Sequence, residues 1–340
     1  MKKLLLILLI FISLLSFPYY NNDYIDITHM INVSSIGIDY QNEEFTIYAY
    51  VINNYTMSKS DFNTSSSSTP STIITGTSNT IENTFFKLYD SVFVNLNFSH
   101  IETLILNESF ISSKNIKELI LYISSHQEFY PKFNIFITKE SLNDIFNIDY
   151  FSDTSSYYNI LTEYKSEIEH HHTTFIDLIN DFNETNYFVM YPSLLLNKNI
   201  IKNDKLSTSL YIDGFYYFNQ NVLNKITYLD YPLLYLLYST NDISFKYQNV
   251  NYFLNSLSIK SFRFNNKLYI LFYSRSNFHA SLKKLMKTII NDLYKDNIDV
   301  YNLRYFNIST KDIKIISVEK VNKKSIENEW FAFYRLIFFW

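Results

Sequence analysis

The 340 residues (40.6 kDa) are enough for two or three domains, and at 47 % apolar and 18 % charged they can bury a substantial core, which excludes a wholly disordered chain. The formal charge of −4 leaves no basic footprint for nucleic acid. Three glycines and no cysteine exclude a phosphate-cradling Gly-rich loop, a dinucleotide fingerprint, a GxSxG nucleophile elbow, disulfides, Cys–metal centres and a thioether-linked lipid.

In chain order, Lys2 and Lys3 precede the apolar run Leu4 to Leu15, followed by Ser16-Phe17-Pro18. This reads as an export signal over residues 1–18, either cleaved or kept as an anchor, so residues from about 19 onward are expected on the extracytoplasmic side. Val33 to Tyr40 and Phe45 to Val51 read as a hairpin turning at Gln41-Asn42-Glu43-Glu44. Residues 57–71 form a mobile Ser/Thr loop. Asn79 followed by Glu82 predicts a helix start, with Ile81, Phe85, Leu88 and Val92 on its apolar face. Strands are expected at Ile101 to Leu106 and Phe133 to Ile137. An amphipathic helix carries Ile116, Leu119, Ile120 and Ile123, and a short helix runs from Ser141 to Phe146. Residues 155–183 read as largely helical.

The polar stretch 197–207 is the expected linker between an N-terminal region, 19–196, of one or two subdomains, and a C-terminal domain, 208–340. Beyond it, β-rich runs at 210–218, 243–247 and 267–273 precede a helix with Leu282, Leu285, Met286, Ile289, Ile290 and Leu293 on one face. Strand-like runs follow at 313–318 and 331–339. Without strict βαβ alternation, the pattern predicts an α+β fold of two to three small domains, with mixed or antiparallel sheets packed against helices.

A chain this poor in glycine keeps it where a side chain is costly. Gly37 and Gly214 fall within strand patterns and suggest bulges or a close backbone approach, whereas Gly76, ahead of the helix cap, suggests a turn. Asp39 and Asp213 each neighbour a strand glycine; an acid–base pair is conceivable, but turn-capping is the favoured role. His100 reads as a buried or turn histidine bonded to backbone. His170-His171-His172 cannot converge on one ion from a helix, where neighbours point about 100° apart. Glu167 and His170 share a helix face but lack a second Glu-x-x-His, so this segment reads as solvated surface. No metal and no cofactor is expected. The 39 Asn, 31 Tyr and 30 Phe, with 25 Lys against 4 Arg, fit an AT-rich coding bias. Most of the aromatic surplus and the seven N-x-[ST] sites follow from that composition.

The ordered set Gly37-Ile38-Asp39, the small-residue loop 57–71, Gly76 before a helix, His100 at a strand start, Asp213-Gly214-Phe215, and the basic helix from Leu282 to the acidic turn at Asp299 resembles the Ger(x)C family, the C subunit of spore germinant receptors. The resemblance implies a non-enzymatic body on the outer face of the cell or inner spore membrane, acting in nutrient-triggered germination. Its implied partners are a membrane-embedded A-type and a transporter-like B-type subunit. The chain departs from the family at Phe17-Pro18-Tyr19-Tyr20, where no lipidated cysteine stands. Two alternatives from other classes are a surface module binding glycan or peptide through exposed aromatics, and an extracytoplasmic hydrolase whose mark would be a pocket with paired carboxylates.

Overall fold

A two-residue turn sets the first register of the fold. In the computed structural model, which describes residues 30–52, 71–93, 95–148, 173–184, 186–202, 205–219, 222–227, 243–247, 250–254, 258–273 and 279–317, β1 (Met30–Gln41) and β2 (Glu44–Ile52) form the expected hairpin through Asn42 and Glu43. Both turn residues have positive φ, 52° and 64°, which suits the right-handed twist of a tight hairpin. β3 (Ser71–Ser78) pairs antiparallel with β2 along its length. The export segment, nearly all of the Ser/Thr loop, His170 to His172 and the run 331–339 lie outside the described residues.

Helix α1 (Ile81–Asp90) starts one residue later than expected. Thr80, not Asn79, is the cap, accepting from the Asn83 backbone N–H at 3.2 Å. Glu82 does not supply the reciprocal bond; the free Ile81 N–H donates instead to Glu118 of the neighbouring helix at 2.9 Å. β4 (Asn95–Asn97), a three-residue strand the periodicity did not announce, comes next; β5 (Thr103–Asn107), α2 (Ser113–Ser125), β6 (Asn134–Thr138) and α3 (Leu142–Phe146) then follow where it placed strands and helices. α4 (Phe175–Asn183) is the described part of the segment expected to be helical, and Asp177 closes a capping box with Thr174.

The principal sheet has strand order β3-β2-β1-β5-β6-β7-β8-β9, with β4 beside the start of β1; β7 is Tyr191–Lys202, β8 is Lys205–Asn219 and β9 is Val222–Thr227. β1, β5, β6 and β7 run parallel, between antiparallel pairs at both sides. The fold is therefore α+β with a parallel centre. Both faces of that centre are covered, which is why all five residues of β5 are buried. One face packs Ile36, Ile38, Leu104 and Leu106 against Phe85 and Leu88 of α1, Ile116 and Leu119 of α2, and Phe175 of α4. The other packs Ile105, Phe136 and Leu194 against Leu142, Ile145 and Phe146 of α3.

Segment 197–207, expected as a linker, lies instead in the β7–β8 hairpin, with Asn197 opposite Ser209 and Lys202 opposite Lys205. Its polar residues occupy the end of a long strand pair, where one face need not be buried. The principal sheet thus runs on through the expected boundary as far as β9. Beyond it come the hairpin β10 (Ile243–Tyr247) and β11 (Val250–Leu254), then β12 (Ser258–Phe264), β13 (Lys267–Tyr273), α5 (His279–Lys295) and β14 (Ile313–Ser317). The six apolar positions predicted on α5 are all buried against β12–β14, in a cluster shared with Phe215, Tyr217 and Ile226. β8 therefore serves all three clusters, with Leu210 in the one beneath α3, Tyr216 in the one beneath α1 and α2, and Phe215 and Tyr217 in the one beneath α5.

Candidate functional site

The register brings several residues of the sequence pattern into line. Gly76, Ile47, Ile38, Leu106, Ile137, Ser193, Gly214 and Thr227 form one continuous row across eight strands. Gly76 is therefore a mid-strand residue and not a turn. A Cβ there would stand 2.6 Å from the Thr84 carbonyl oxygen, so its absence lets the backbone of α1 lie on the sheet. Gly214 sits at a bulge, where Ser193 pairs with Gly214 but Leu194 pairs with Ile212, leaving Asp213 as the extra residue. Its φ is 158°, and a Cβ would stand 2.0 Å from the Ile226 carbonyl oxygen. Gly37 receives the Phe146 ring of α3 instead of bulging.

Next to this row, the rim of the sheet carries a chain of polar contacts. The Asp39 carboxylate accepts from its neighbour's backbone, Tyr40 N–H, at 2.7 Å, from Gln41 Nε2 at 2.8 Å, and from the Ser109 hydroxyl. Glu108, the adjacent residue, accepts from the Tyr216 hydroxyl. Lys225 Nζ lies 5.2 Å from the centre of the Tyr216 ring and 2.9 Å from Asp213. Burial first, and Glu108 second, push the Tyr216 phenol well above its usual range. Asp39 and Asp213 are thus linked through intermediaries and do not face each other as an acid–base pair. Asp39 fastens the end of β1 beside the hairpin turn, whereas Asp213 stands at the bulge inside β8, paired with Lys225 of β9, and caps no turn.

His100 is exposed in the turn before β5, so of the two placements expected for it, buried or in a turn, it takes the second. The turn is held by the Asn97 side chain, which accepts from Ser99 N–H at 3.0 Å and from the Ser99 hydroxyl at 2.7 Å. Among the described residues no cluster of three His, Asp or Glu is placed to hold a metal ion.

Sequence reasoning missed the cleft where the cluster beneath α5 meets the one beneath α1 and α2. It encloses about 670 Å³ between the C-terminal end of α4, the start of the strand pair through Tyr187 and Phe188, the end of β8 at Phe218 and Asn219, and the turns after α5. Its walls are fastened across the seam: Phe188 N–H donates to Asn302 Oδ1 at 2.5 Å, and the rings of Tyr187 and Tyr305 meet edge to face at 5.2 Å. Asp299, itself buried, accepts from the Leu303 and Arg304 N–H groups and shapes the turn. Arg304 donates to Tyr294 O and Asn297 Oδ1 and lies over the Tyr294 ring. Asp181 accepts from the buried Tyr191 hydroxyl at 2.7 Å, and burial, opposed by that bond and aided by Asp177, pushes its carboxyl up to about 7. One sequence signal existed: Asp181 lies three residues after the buried Leu178, on the core-facing side of an apolar helix. Arg304 and Asn219 carried none.

No curated protein matches the chain. A solved structure described as the GerBC protein aligns over 83 % of this chain and 94 % of its own, at 10 % identity and a TM-score of 0.35. An adenylation domain of a keto acid-selecting NRPS module aligns over 68 % and 46 %, at 9 % identity and a TM-score of 0.13. The family model described as the spore germination protein N-terminal domain matches residues 23–194, from ahead of β1 into β7. That span is half of the chain, and the chain belongs to the Ger(x)C family of spore germination proteins.

Proposed function

We propose that this protein is the extracytoplasmic, non-enzymatic C subunit of a membrane-associated germinant receptor, and that it acts in nutrient-triggered germination through protein contacts. The observation that carries the reading is the family match across residues 23–194. Family membership implies association with other receptor subunits; the finer assignment is to a membrane-embedded A-type and a transporter-like B-type partner. The Lys2-Lys3 and Leu4 to Leu15 pattern supports delivery across the membrane. Among the described residues no helix is long and apolar enough to cross it.

The structure offers surface for such contacts. α1 and α2 lie side by side on the sheet, with Phe85 stacked on Tyr122 at 4.4 Å. The adjacent Phe86 and Leu121 are exposed, at 63 % and 71 %. The family pattern of Gly37, Asp39, Gly76, His100, Asp213 and Gly214 serves this body mainly as architecture, with exposed His100 as its accessible member. Co-expression with A- and B-type subunits, followed by affinity purification in mild detergent, tests the reading. Recovery of a membrane-embedded subunit is expected; the chain emerging alone in several such pairings would overturn it.

A hydrolase reading meets its own criterion in part, because the cleft holds Asp181 and Glu184 together. Asp181, however, is tied to Tyr191 of the core, which fits a structural anchor better than a free proton donor.

A further inference from the structure

We propose that the cleft between α4, the end of β8 and the turns after α5 binds a small neutral polyhydroxylated molecule of monosaccharide or cyclitol size. The inference stands apart from the receptor reading, since it rests on the cleft alone.

Three observations carry it. The first is size. About 670 Å³ lies inside the range of roughly 300–1,000 Å³ typical of small-molecule pockets, and far exceeds the share of a few waters. The second is the pairing of flat apolar walls with planar polar groups. Phe182 and Phe218 meet edge to face at 5.2 Å, and Phe188 and Tyr187 continue the aromatic lining. A sugar presents an apolar C–H face to such rings and hydroxyls around its edge. Amides, which both donate and accept, match that edge, and Asn183, Asn186 and Asn219 line the cleft with exposed side chains. The third is preorganisation. The seam is closed by the Phe188–Asn302 bond and the Tyr187–Tyr305 contact, and Arg304 is held by Tyr294 and Asn297 with further N–H groups to offer.

Charge selects among ligand classes. A small anion would face Asp181, Glu184 and Asp299, with Arg304 as the one cation among the described lining residues. A purely apolar guest would bury carboxylates and amides without partners, which is costly. A polyol satisfies both acceptors and donors, with Glu184 as an acceptor and Arg304 as a donor.

The test uses the full chain and saturation-transfer NMR with D-glucose, N-acetyl-D-glucosamine and myo-inositol, alongside spermidine and inorganic phosphate. Transfer to at least one of the three polyols is expected, competed by no more than weak effects of the other two probes. Glu184→Gln and Asn219→Ala, both at exposed positions, should each weaken that binding about tenfold, the effect of one strong hydrogen bond, with circular dichroism unchanged. Phe218→Leu keeps an apolar side chain and should weaken it through loss of the flat ring. Absence of transfer to all three polyols, tighter binding of spermidine or phosphate, or polyol binding indifferent to the Glu184 and Asn219 variants would each overturn the proposal. None of these results bears on co-purification with membrane subunits, so the two readings fail separately.

Discussion

Replacing Gly214 by alanine tests whether the bulge of β8 does what its geometry indicates. The added Cβ would stand 2.0 Å from Ile226 O and 2.7 Å from Thr227 Cα, whereas real Cβ atoms stay beyond 3.0 Å of such neighbours. Both obstacles are backbone, so β8 and β9 must part by roughly 1 Å, the shortfall in that contact. Overpacking of this kind costs about 1–3 kcal/mol. The backbone at φ 158° adds about 1–2 kcal/mol for a residue with a side chain. Gly214→Ala is therefore expected to lower stability by about 2–5 kcal/mol, a large part of the roughly 5–15 kcal/mol a domain possesses. Gly37→Ala is the control. There the added Cβ meets the Phe146 ring at 2.5 Å, a side chain able to shift, so the loss should be smaller. Phe146→Leu in the same chain should restore part of it. Urea unfolding followed by far-ultraviolet circular dichroism is the assay, because the perturbation lies in the strand pairing of β8 and β9. A Gly214→Ala midpoint equal to that of the parent, or a Gly37→Ala loss exceeding that of Gly214→Ala, would refute the reasoning.

Three further outcomes are expected. Phe85 is fully buried and packed against Phe98, Tyr122 and Phe129, so Phe85→Ala should cost about 3–5 kcal/mol in the same unfolding assay. The Asp181 carboxyl is raised from 3.8 to about 7 by burial, so between these values the folded state holds a proton that the unfolded state has released. Stability should fall with rising pH across that window by up to about 1.4 kcal/mol per unit from this group, and Asp181→Asn should remove that component, seen as a flatter midpoint-versus-pH curve. Phe86→Ser with Leu121→Ser should leave the unfolding midpoint nearly unchanged, because both side chains are exposed, while reducing recovery of membrane subunits in co-purification.

What could be read from the chain depended on how local its cause was. The β1–β2 turn was legible because Asn42 and Glu43 separate two alternating runs, and α5 because its apolar spacing is unbroken. The start of α1 moved from Asn79 to Thr80 since both residues are able caps and a distant partner, Glu118, decides which N–H remains to be satisfied. Gly76 was misread because the reason for it, the backbone of α1 pressed on the sheet at Thr84, is a tertiary contact. The stretch 197–207 looked like a linker because a polar strand pair and a connection share the same composition. The cleft was invisible for a related reason. Its residues come from four separated segments, and several of its asparagines, such as Asn186 and Asn297 with φ of 66° and 65°, are also what left-handed turns require. The family pattern, by contrast, was recoverable from order and spacing. The row joining Gly76 to Gly214 gives a physical reason: these positions share one line across the sheet.

We propose that this body works outside the cytoplasm as a docking subunit of a membrane receptor. Affinity purification of the tagged full chain co-expressed with A- and B-type receptor subunits, with identification of what is retained, is the measurement that bears on it. A stable complex containing a polytopic membrane subunit, diminished by the Phe86 and Leu121 substitutions, is expected. Retention of no membrane subunit, with the chain folded and monomeric in the cytosol, would contradict it.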